Sequence, residues 1–325
     1  MRRRQNADLT GQVVLVTGAS SGIGRATAIA LARCGADVAL VARGVSSLAE
    51  AARDCEQAGG RALVLPADVA DAAAVDAAFD RAVHELGRVD AVVHSAAVLA
   101  YGRFEDVPAE VFDTGLRVTV LGTANVARSA LRCFRQRGAG RLVVVGSLLG
   151  KICTPYMSSY VTAKWAVHGL VRTLQIEARQ TPGIGISLVS PGGVDTPIYS
   201  QAGSYLGWQG RPPPPVDPPE KVARAILRAL SRPRRERSVG LANGVTVLGF
   251  RALPGVFDRI VTPLMRAGAV SRRPVAATAG NVLAPLPDGD AVHGRWGRHW
   301  LRPALAVATA GGVLAARSAV RRCPG

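Results

Sequence analysis

Short apolar segments alternate with amphipathic ones along the first 240 residues of the chain. Residues 12–17 form a valine-rich run typical of a buried parallel strand, and residues 25–33 follow with a helical composition. Comparable apolar runs recur at residues 37–42, 62–66, 90–94, 141–145 and 185–190. Strands that alternate with helices predict an α/β fold in which one doubly wound parallel sheet forms a single large domain.

Later segments favour two helices and one irregular connection. Residues 157–180 have a helical pattern, and residues 220–231 form an amphipathic helix of the kind that flanks a last strand. Residues 197–219 are rich in glycine, proline and aromatic side chains. This composition predicts a lid over an apolar substrate pocket, with a plain surface connection as the alternative.

Three glycines separate the first predicted strand from the first predicted helix. Gly18, Gly22 and Gly24 have the spacing G-x3-G-x-G. Backbone without side chains can turn sharply and approach a pyrophosphate, whose charge is favoured by the free N–H groups and dipole at the helix start. The segment therefore predicts a dinucleotide-binding turn, with an ordinary strand-to-helix turn as the alternative.

A serine, a tyrosine and a lysine carry candidate acid-base chemistry. Tyr160 and Lys164 are four residues apart, so a helix places the ammonium and the phenol on one face. A phenol with a pKa of about 10 is a poor acid or base at neutral pH, and a nearby positive charge lowers that pKa. Ser147, after the apolar run, would offer a hydroxyl to a substrate oxygen. An exposed helix pair is the alternative for Tyr160 and Lys164.

Together these motifs resemble the short-chain dehydrogenase/reductase family, from about residue 9 to residue 196. The resemblance implies a Rossmann-type domain at 9–239, a flexible basic N-terminus at 1–8 and a C-terminal extension at 240–325. It also implies a homodimer or homotetramer and a nicotinamide dinucleotide. The expected cofactor-binding residues are Gly18, Ser20, Ser21, Gly22, Ile23, Gly24, Arg43, Asp68, Val69, Ser95, Ala96, Tyr160, Lys164, Pro191, Gly192, Val194 and Thr196.

The end of the second predicted strand indicates which dinucleotide to expect. An NAD enzyme usually has an acidic residue there for the ribose hydroxyls, whereas this chain has Ala42 and Arg43. Arg43 can pair with a 2′-phosphate, and such a charge-assisted bond contributes about 1.5–3 kcal/mol. Ser21 stands where NADP-dependent relatives often have a basic residue, so the prediction of NADP depends mainly on Arg43. The alternative is a solvated arginine at a strand end.

Two segments depart from the family pattern. His94-Ser95-Ala96-Ala97 stands where the family usually has Asn-Asn-Ala-Gly, and His94 is interpreted as a hydrogen-bonded buried histidine rather than a catalyst. Thr119 stands where members commonly carry an asparagine that holds a water in a proton relay to the lysine. A hydroxyl can hold a water but lacks the fixed donor and acceptor of an amide. Thr119 is therefore a candidate catalytic residue in a weakened or rerouted relay.

These residues predict an NADP(H)-dependent oxidoreductase that interconverts a carbonyl and an alcohol on an apolar small molecule. In this hypothesis Ser147 orients the substrate oxygen and Tyr160 transfers the proton, while Lys164 lowers the pKa of Tyr160 and holds the nicotinamide ribose. The alternative is a dinucleotide-binding scaffold or sensor with little turnover, which the departures at Thr119 and His94 suggest.

The cysteines indicate the cellular compartment. They stand at positions 34, 55, 133, 153 and 323, an odd number without a C-x-x-C motif, and no secretory segment follows the first four residues. This pattern predicts a reducing cytoplasm. The cysteines and histidines show no spacing typical of metal ligands, so no metal is expected.

Positive charge is concentrated in the last part of the chain. Residues 201–325 hold 19 Lys and Arg against 6 Asp and Glu, which gives +13 of the total net charge of +17. Apolar runs at 239–250, 253–257 and 304–316 are too short to span a bilayer, so peripheral contact with anionic lipid is the open alternative to a tail without a membrane role. No recognition motif favours nucleic acid. Residues 278–300 have few apolar runs and are expected to be partly disordered.

Overall fold

A parallel sheet of seven strands forms the centre of the molecule, as seen in a computed structural model that describes residues 8–286 and 288–297. Its strands are β1 (Val13–Thr17), β2 (Asp37–Ala42), β3 (Ala62–Pro66), β4 (Ala91–His94), β6 (Gly140–Val145), β7 (Ile184–Pro191) and β12 (Glu236–Val239). The shorter strands are β5 (Ala100–Tyr101), β8 (Gly193–Val194), β9 (Gly203–Ser204), β10 (Trp208–Gly210), β11 (Val216–Asp217) and β13 (Val270–Pro274).

The order of strands across the main sheet is β12-β7-β6-β4-β1-β2-β3, and all neighbours are parallel. The chain builds outward from β1 in both directions, first through β2 and then through β4. In such sheets the crevice for a ligand lies at the carboxyl ends of the strands, where the direction of building reverses. The predicted α/β class with a doubly wound parallel sheet is confirmed.

Helices cover both faces of this sheet. They are α1 (Gly22–Ala32), α2 (Val45–Gln57), α3 (Ala72–Leu86), α4 (Ala109–Leu116), α5 (Gly122–Arg137), α6 (Ser158–Glu177), α7 (Pro219–Ser231), α8 (Asn243–Ala252) and α9 (Pro254–Gly268). The apolar faces of α1, α2 and α7 pack on one side of the sheet, and those of α3, α5 and α6 on the other. The helices expected at 157–180 and 220–231 are α6 and α7.

The strands are apolar along their whole length because both faces of the sheet are covered. In β1, Leu15 packs towards α3 and α5, whereas Val14 and Val16 pack towards α1 and α7. None of these three side chains is exposed to solvent. Fully buried parallel strands have continuous rather than alternating hydrophobic patterns, which is the pattern of the sequence.

Residues beyond 239 pack onto the segment that was expected to be the lid. β13 pairs antiparallel with β10. Met265 of α9 and Ala269, which follows that helix, share a hydrophobic cluster with Tyr101 and Met157. Hydrophobic packing therefore continues across the predicted boundary at 239/240. None of the helices in the described ranges is both long and apolar enough to cross a membrane.

The expectation of partial disorder at 278–300 is wrong for the residues that the structure describes there. Residues 278–286 and 288–297 form neither helix nor long strand, yet Val282 is completely buried and the Gly294 amide binds the Asp195 carboxylate. Composition did not predict this order, because backbone groups make most of the contacts. Residues 1–7, the rest of the predicted disordered segment and the apolar run at 304–316 lie outside the described residues.

Candidate active site

The glycine turn after β1 brings two stretches of backbone unusually close. Gly18 and Gly22 have positive φ angles of 66° and 53°, which side chains other than glycine rarely adopt. A Cβ atom on Gly18 would lie 2.8 Å from the Ala96 amide nitrogen, and one on Gly24 would collide with the Gly18 carbonyl. The glycines therefore have two functions: Gly18 and Gly22 shape the turn, and Gly24 lets α1 pack against it.

One large cavity of about 810 Å³ opens beside this turn. It lies beyond the carboxyl ends of the central strands, where the fold predicts a ligand crevice. Most of the residues selected from the sequence line it. They are Gly18, Ser20, Ser21, Gly22, Ile23, Arg43, Asp68, Val69, Ser95, Ala96, Ser147, Tyr160, Lys164, Pro191, Gly192, Val194 and Thr196. Gly24 and Thr119 do not line it: Gly24 packs under the turn, and Val118 faces the cavity instead of Thr119.

Ser147, Tyr160 and Lys164 meet in the middle of this cavity. Ser147 lies just beyond β6, where its hydroxyl accepts a hydrogen bond of 3.1 Å from the Leu149 amide. Tyr160 and Lys164 lie on the first turns of α6, as the four-residue spacing predicts. The buried Lys164 ammonium donates to the Val145 carbonyl at 2.9 Å and lies 5.5 Å from the centre of the Tyr160 ring.

Burial changes the acid-base properties of this pair in a direction that the sequence did not predict. It raises the pKa of Tyr160 to about 12, although a hydrogen bond with Ser147 acts in the opposite direction. It lowers the pKa of Lys164 to about 8, because a buried ammonium loses hydration. The expectation that Lys164 brings the pKa of Tyr160 below its ordinary value is wrong for this structure. Desolvation of the phenol has the larger effect, and it raises the pKa.

His94 is a buried histidine with hydrogen bonds at both ring nitrogens, as expected from its apolar surroundings in the sequence. Nδ1 lies 2.8 Å from the Thr17 hydroxyl, and Nε2 lies 2.9 Å from the Thr123 hydroxyl. The Thr123 hydroxyl already donates to the Thr119 carbonyl, so we assign the proton of the neutral ring to Nε2. Burial lowers the pKa of His94 to about 3, and Lys164 adds to that effect. His94 is therefore neutral and braces β4 against β1 and α5.

Thr119 lies in a single π-helical turn, Arg117–Leu121, between α4 and α5. Its side chain is buried, and its hydroxyl has no hydrogen-bond partner among the described residues. This turn packs against α6, which carries Tyr160 and Lys164. Buried hydroxyls normally find a partner, so the position is chemically suited to a bound water.

Arg43 binds the polypeptide itself at the end of β2. Its guanidinium donates to the carbonyl oxygens of Asn281 at 2.6 Å and Val282 at 3.4 Å. It also lines the cavity, and a guanidinium has five N–H donors, so these two bonds do not exhaust its capacity. No sequence motif indicates this contact, because the acceptors are main-chain oxygens more than 230 residues away.

Sequence reasoning also missed the residues that close the cavity on its apolar side. α8 and α9 contribute a group of lining residues that includes Val245, Phe257, Ile260, Val261, Leu264 and Met265. The apolar runs at 239–250 and 253–257 were the available signal, but their length alone could not show which surface they cover. From the predicted lid at 197–219, Ile198, Tyr199, Gln201, Arg211 and Pro213 to Pro215 line the same cavity.

A doubly wound α/β domain with a glycine turn and a Tyr-Lys pair in one crevice defines the class of protein. A model of the short chain dehydrogenase family matches residues 12–205. The uncharacterized oxidoreductase YxnA of Bacillus subtilis (strain 168) is 34% identical over 97% of this chain and 92% of its own length. The chain therefore belongs to the short-chain dehydrogenase family of oxidoreductases, and its similarity to YxnA extends into the C-terminal extension.

Solved structures agree with this assignment. A short-chain type dehydrogenase/reductase from Mycobacterium marinum superposes with a TM-score of 0.65 and 27% identity, covering 73% of this chain and 96% of that one. An alcohol dehydrogenase from the archaeon Thermococcus sibiricus, solved with 5-hydroxy-NADP, superposes with a TM-score of 0.61 and 32% identity. The match covers 70% of this chain and 95% of that one. A short chain dehydrogenase from Mycobacterium paratuberculosis, solved with NAD, superposes with a TM-score of 0.63 and 26% identity. The match covers 72% of this chain and 97% of that one.

Proposed function

We propose that the protein is an NADP(H)-dependent oxidoreductase that interconverts a carbonyl and an alcohol on an apolar small molecule. The observation that carries this proposal is that one cavity holds the glycine turn, Arg43 and the group Ser147, Tyr160 and Lys164. A site for a dinucleotide and a site for proton transfer are thus continuous. Solved relatives were crystallised with 5-hydroxy-NADP and with NAD, so the choice of NADP depends on Arg43 and on Ala42 in place of an acidic residue.

The residues of the groove fit a dinucleotide. At Gly18 a Cβ would clash with the backbone of Ala96, so only glycine lets the turn pack this closely against the segment after β4. Ser20, Ser21 and Ile23 line the groove at the start of α1. The Gly22 amide there binds the Ala291 carbonyl, and the helix dipole and the other amides favour phosphate. Arg43 would face a 2′-phosphate, and no acidic side chain stands at the end of β2 to favour unphosphorylated ribose. When bound, the nicotinamide would supply or accept a hydride.

The protein groups then have separable tasks. The Ser147 hydroxyl would orient the substrate oxygen beside Tyr160. Because burial keeps the pKa of Tyr160 high, the phenol is protonated at neutral pH, which is the form that donates a proton to a carbonyl oxygen. The Lys164 ammonium, anchored on the Val145 carbonyl, would hold the ribose beside the phenol.

The apolar part of the cavity supports an apolar substrate. Leu149, Ile152 and Met157 line it near the catalytic group, and Val261 and Met265 of α9 line it from the opposite side. A turnover screen with NADPH against aldehydes, ketones and bulky lipid-like carbonyls tests the proposal. Tight binding of NADPH without oxidation across that panel would instead favour a dinucleotide-binding scaffold.

Thr119 provides a test that separates these two possibilities. If its hydroxyl holds a relay water imperfectly, Thr119→Asn should raise kcat a few-fold with little change in the affinity for NADPH, because an amide fixes both a donor and an acceptor. Thr119→Val, of nearly the same shape, should lower kcat. The measurement is steady-state kinetics together with NADPH titration. Unchanged kcat in both variants, with Tyr160→Phe inactive, would assign Thr119 to packing alone.

We also propose a cytoplasmic homodimer or homotetramer. The described cysteines, at positions 34, 55, 133 and 153, are all free thiols, which suits a reducing compartment. The oligomer rests on the family alone, and sedimentation analysis of the purified chain would test it.

A peripheral contact with anionic membranes is a further proposal for the C-terminal extension. Leu241, Val245 and Leu248, at the start of the extension and on α8, are between 66% and 88% exposed, and the extension holds 11 Lys and Arg against 3 Asp and Glu. We expect the full chain to sediment with anionic vesicles at low salt more than a chain that ends at Pro287, with the difference shrinking as salt increases.

The control for this experiment is neutral vesicles, which lack the attraction for arginine. Equal sedimentation of both chains with anionic vesicles at low salt would exclude the membrane role of the removed part. The shortened chain also loses contacts that residues 288–297 make with the core, so its circular dichroism must first match that of the full chain. Loss of folding would show that the removed part belongs to the core.

A further inference from the structure

Residues 278–286 and 288–297, here called the C-terminal strap, bridge two elements on opposite sides of β1. On one side, the strap accepts hydrogen bonds from Arg43 just beyond β2. On the other side, it donates hydrogen bonds to Asp195 just beyond β7. β2 adjoins β1 on one side, and β7 lies on the other side of β1 beyond β4 and β6, so the strap crosses the carboxyl edge at the place where the groove opens.

Asp195 fastens one end of the strap. This carboxylate is 9% exposed. Its Oδ1 accepts from the amides of Gly294 at 3.0 Å and Trp296 at 2.8 Å, and its Oδ2 accepts from Gly297 at 3.3 Å. Hydrogen bonds from backbone amides to a buried carboxylate are charge-assisted and strong. All three bonds end on the Asp195 side chain, so replacing Asp195 should release this end of the strap from the core.

Glycines let the strap lie directly on the core. A Cβ on Gly294 would collide with the Thr196 carbonyl, and a Cβ on Gly280 would collide with the Gln201 carbonyl. Between them, the Gln201 amide donates to the carbonyl of Leu286 at 3.0 Å and to the carboxylate of Asp290 at 2.8 Å. At these contact points no other molecule fits between the strap and the core.

The strap is also part of the wall of the cavity. Asn281, Leu286 and Asp290 line the same space as the glycine turn. The Ala291 carbonyl accepts from the Gly22 amide at 2.8 Å, at the first residue of α1. The strap thus closes the groove at the end where the phosphates of a dinucleotide would lie, while the cavity beneath it stays open.

We propose that the C-terminal strap is the outer wall of the dinucleotide groove, and that Asp195 is the positioning residue that fastens it. A bound dinucleotide can leave only after the strap detaches, so the strap sets the lifetime of the complex. This inference depends on the proposed function, because it requires that NADPH binds in the groove.

The test measures the rate of NADPH dissociation from the full chain, by stopped-flow fluorescence with excess NADP⁺ as the competitor. Asp195→Asn exchanges the charged acceptor for a neutral amide, and Gly294→Ala pushes the strap away from Thr196 without touching Asp195. We expect both variants to release NADPH about tenfold faster or more. The single-turnover rate with NADPH already bound should stay near that of the unmodified chain, since neither change reaches Tyr160 or Lys164.

Asp71→Asn is the matched control, because Asp71 also accepts from two backbone amides, at the start of α3, but does not line the cavity. Its release rate should be unchanged. Unchanged release in both strap variants would overturn the proposal and leave the proposed function intact. If the strap variants bound NADPH and the unmodified chain did not, the strap would block the groove rather than form its wall. That result would also overturn the proposal. Failure of every form to bind NADPH or NADH would instead refute the proposed function.

Discussion

Replacing Tyr160 with phenylalanine should reduce turnover by roughly 10²-fold or more, because it removes the phenol that would transfer the proton. The ring itself is retained, so the cavity keeps its shape and NADPH should still bind. Steady-state kinetics on any carbonyl that the unmodified protein reduces, with NADPH titration by fluorescence, measures both quantities. We expect kcat to carry the loss and the affinity for NADPH to change little.

Tyr101→Phe is the matched control for this experiment. Tyr101 is completely buried in the hydrophobic cluster against which Tyr160 packs. Its hydroxyl binds the Arg211 carbonyl at 3.4 Å, and Tyr101 does not line the cavity. Its removal should leave turnover within a few-fold of the original. If the Tyr160 variant kept most of its activity, another group would have to supply the proton, and the assignment of Tyr160 would be wrong.

The second large effect concerns the choice between the two nicotinamide dinucleotides. We expect NADPH to bind at least about tenfold more tightly than NADH, a difference of ~1.4 kcal/mol, because Arg43 can pair with the 2′-phosphate. Ala42→Asp combined with Arg43→Leu should reverse the order, since the new carboxylate would accept from the ribose hydroxyls and repel the phosphate. Titration of both dinucleotides into both proteins measures the ratio.

The contact between Arg43 and the strap requires a further control. Arg43→Leu alone also breaks the hydrogen bonds to Asn281 and Val282. A loosened strap would weaken NADPH and NADH alike, whereas loss of a phosphate partner weakens NADPH selectively. The ratio of the two dissociation constants therefore isolates the phosphate contact. Equal affinities for the two dinucleotides in the unmodified protein would contradict the assignment of Arg43.

Much of the fold and of the candidate site could be predicted from short stretches of the sequence. The valine-rich run of β1 predicted a strand buried on both faces, and the spacing of Tyr160 and Lys164 placed both residues on one face of α6. Gly18, Gly22 and Gly24 predicted the turn. These inferences succeeded because each depends on periodicity or on backbone freedom within about ten residues, which is information that a short stretch of sequence contains.

What the tertiary structure alone decided depends on contacts between distant residues. The pKa of Tyr160 is raised because neighbouring elements bury it, and spacing along a helix cannot show that burial. The order of the strap arises from amides that bind Asp195 about 100 residues away and from carbonyls that bind Arg43. Every residue has such backbone groups, so composition does not reveal which of them will be used. The sequence alone therefore determined the sheet, the glycine turn and the spacing of the candidate catalytic residues, and the folded chain decided what encloses them.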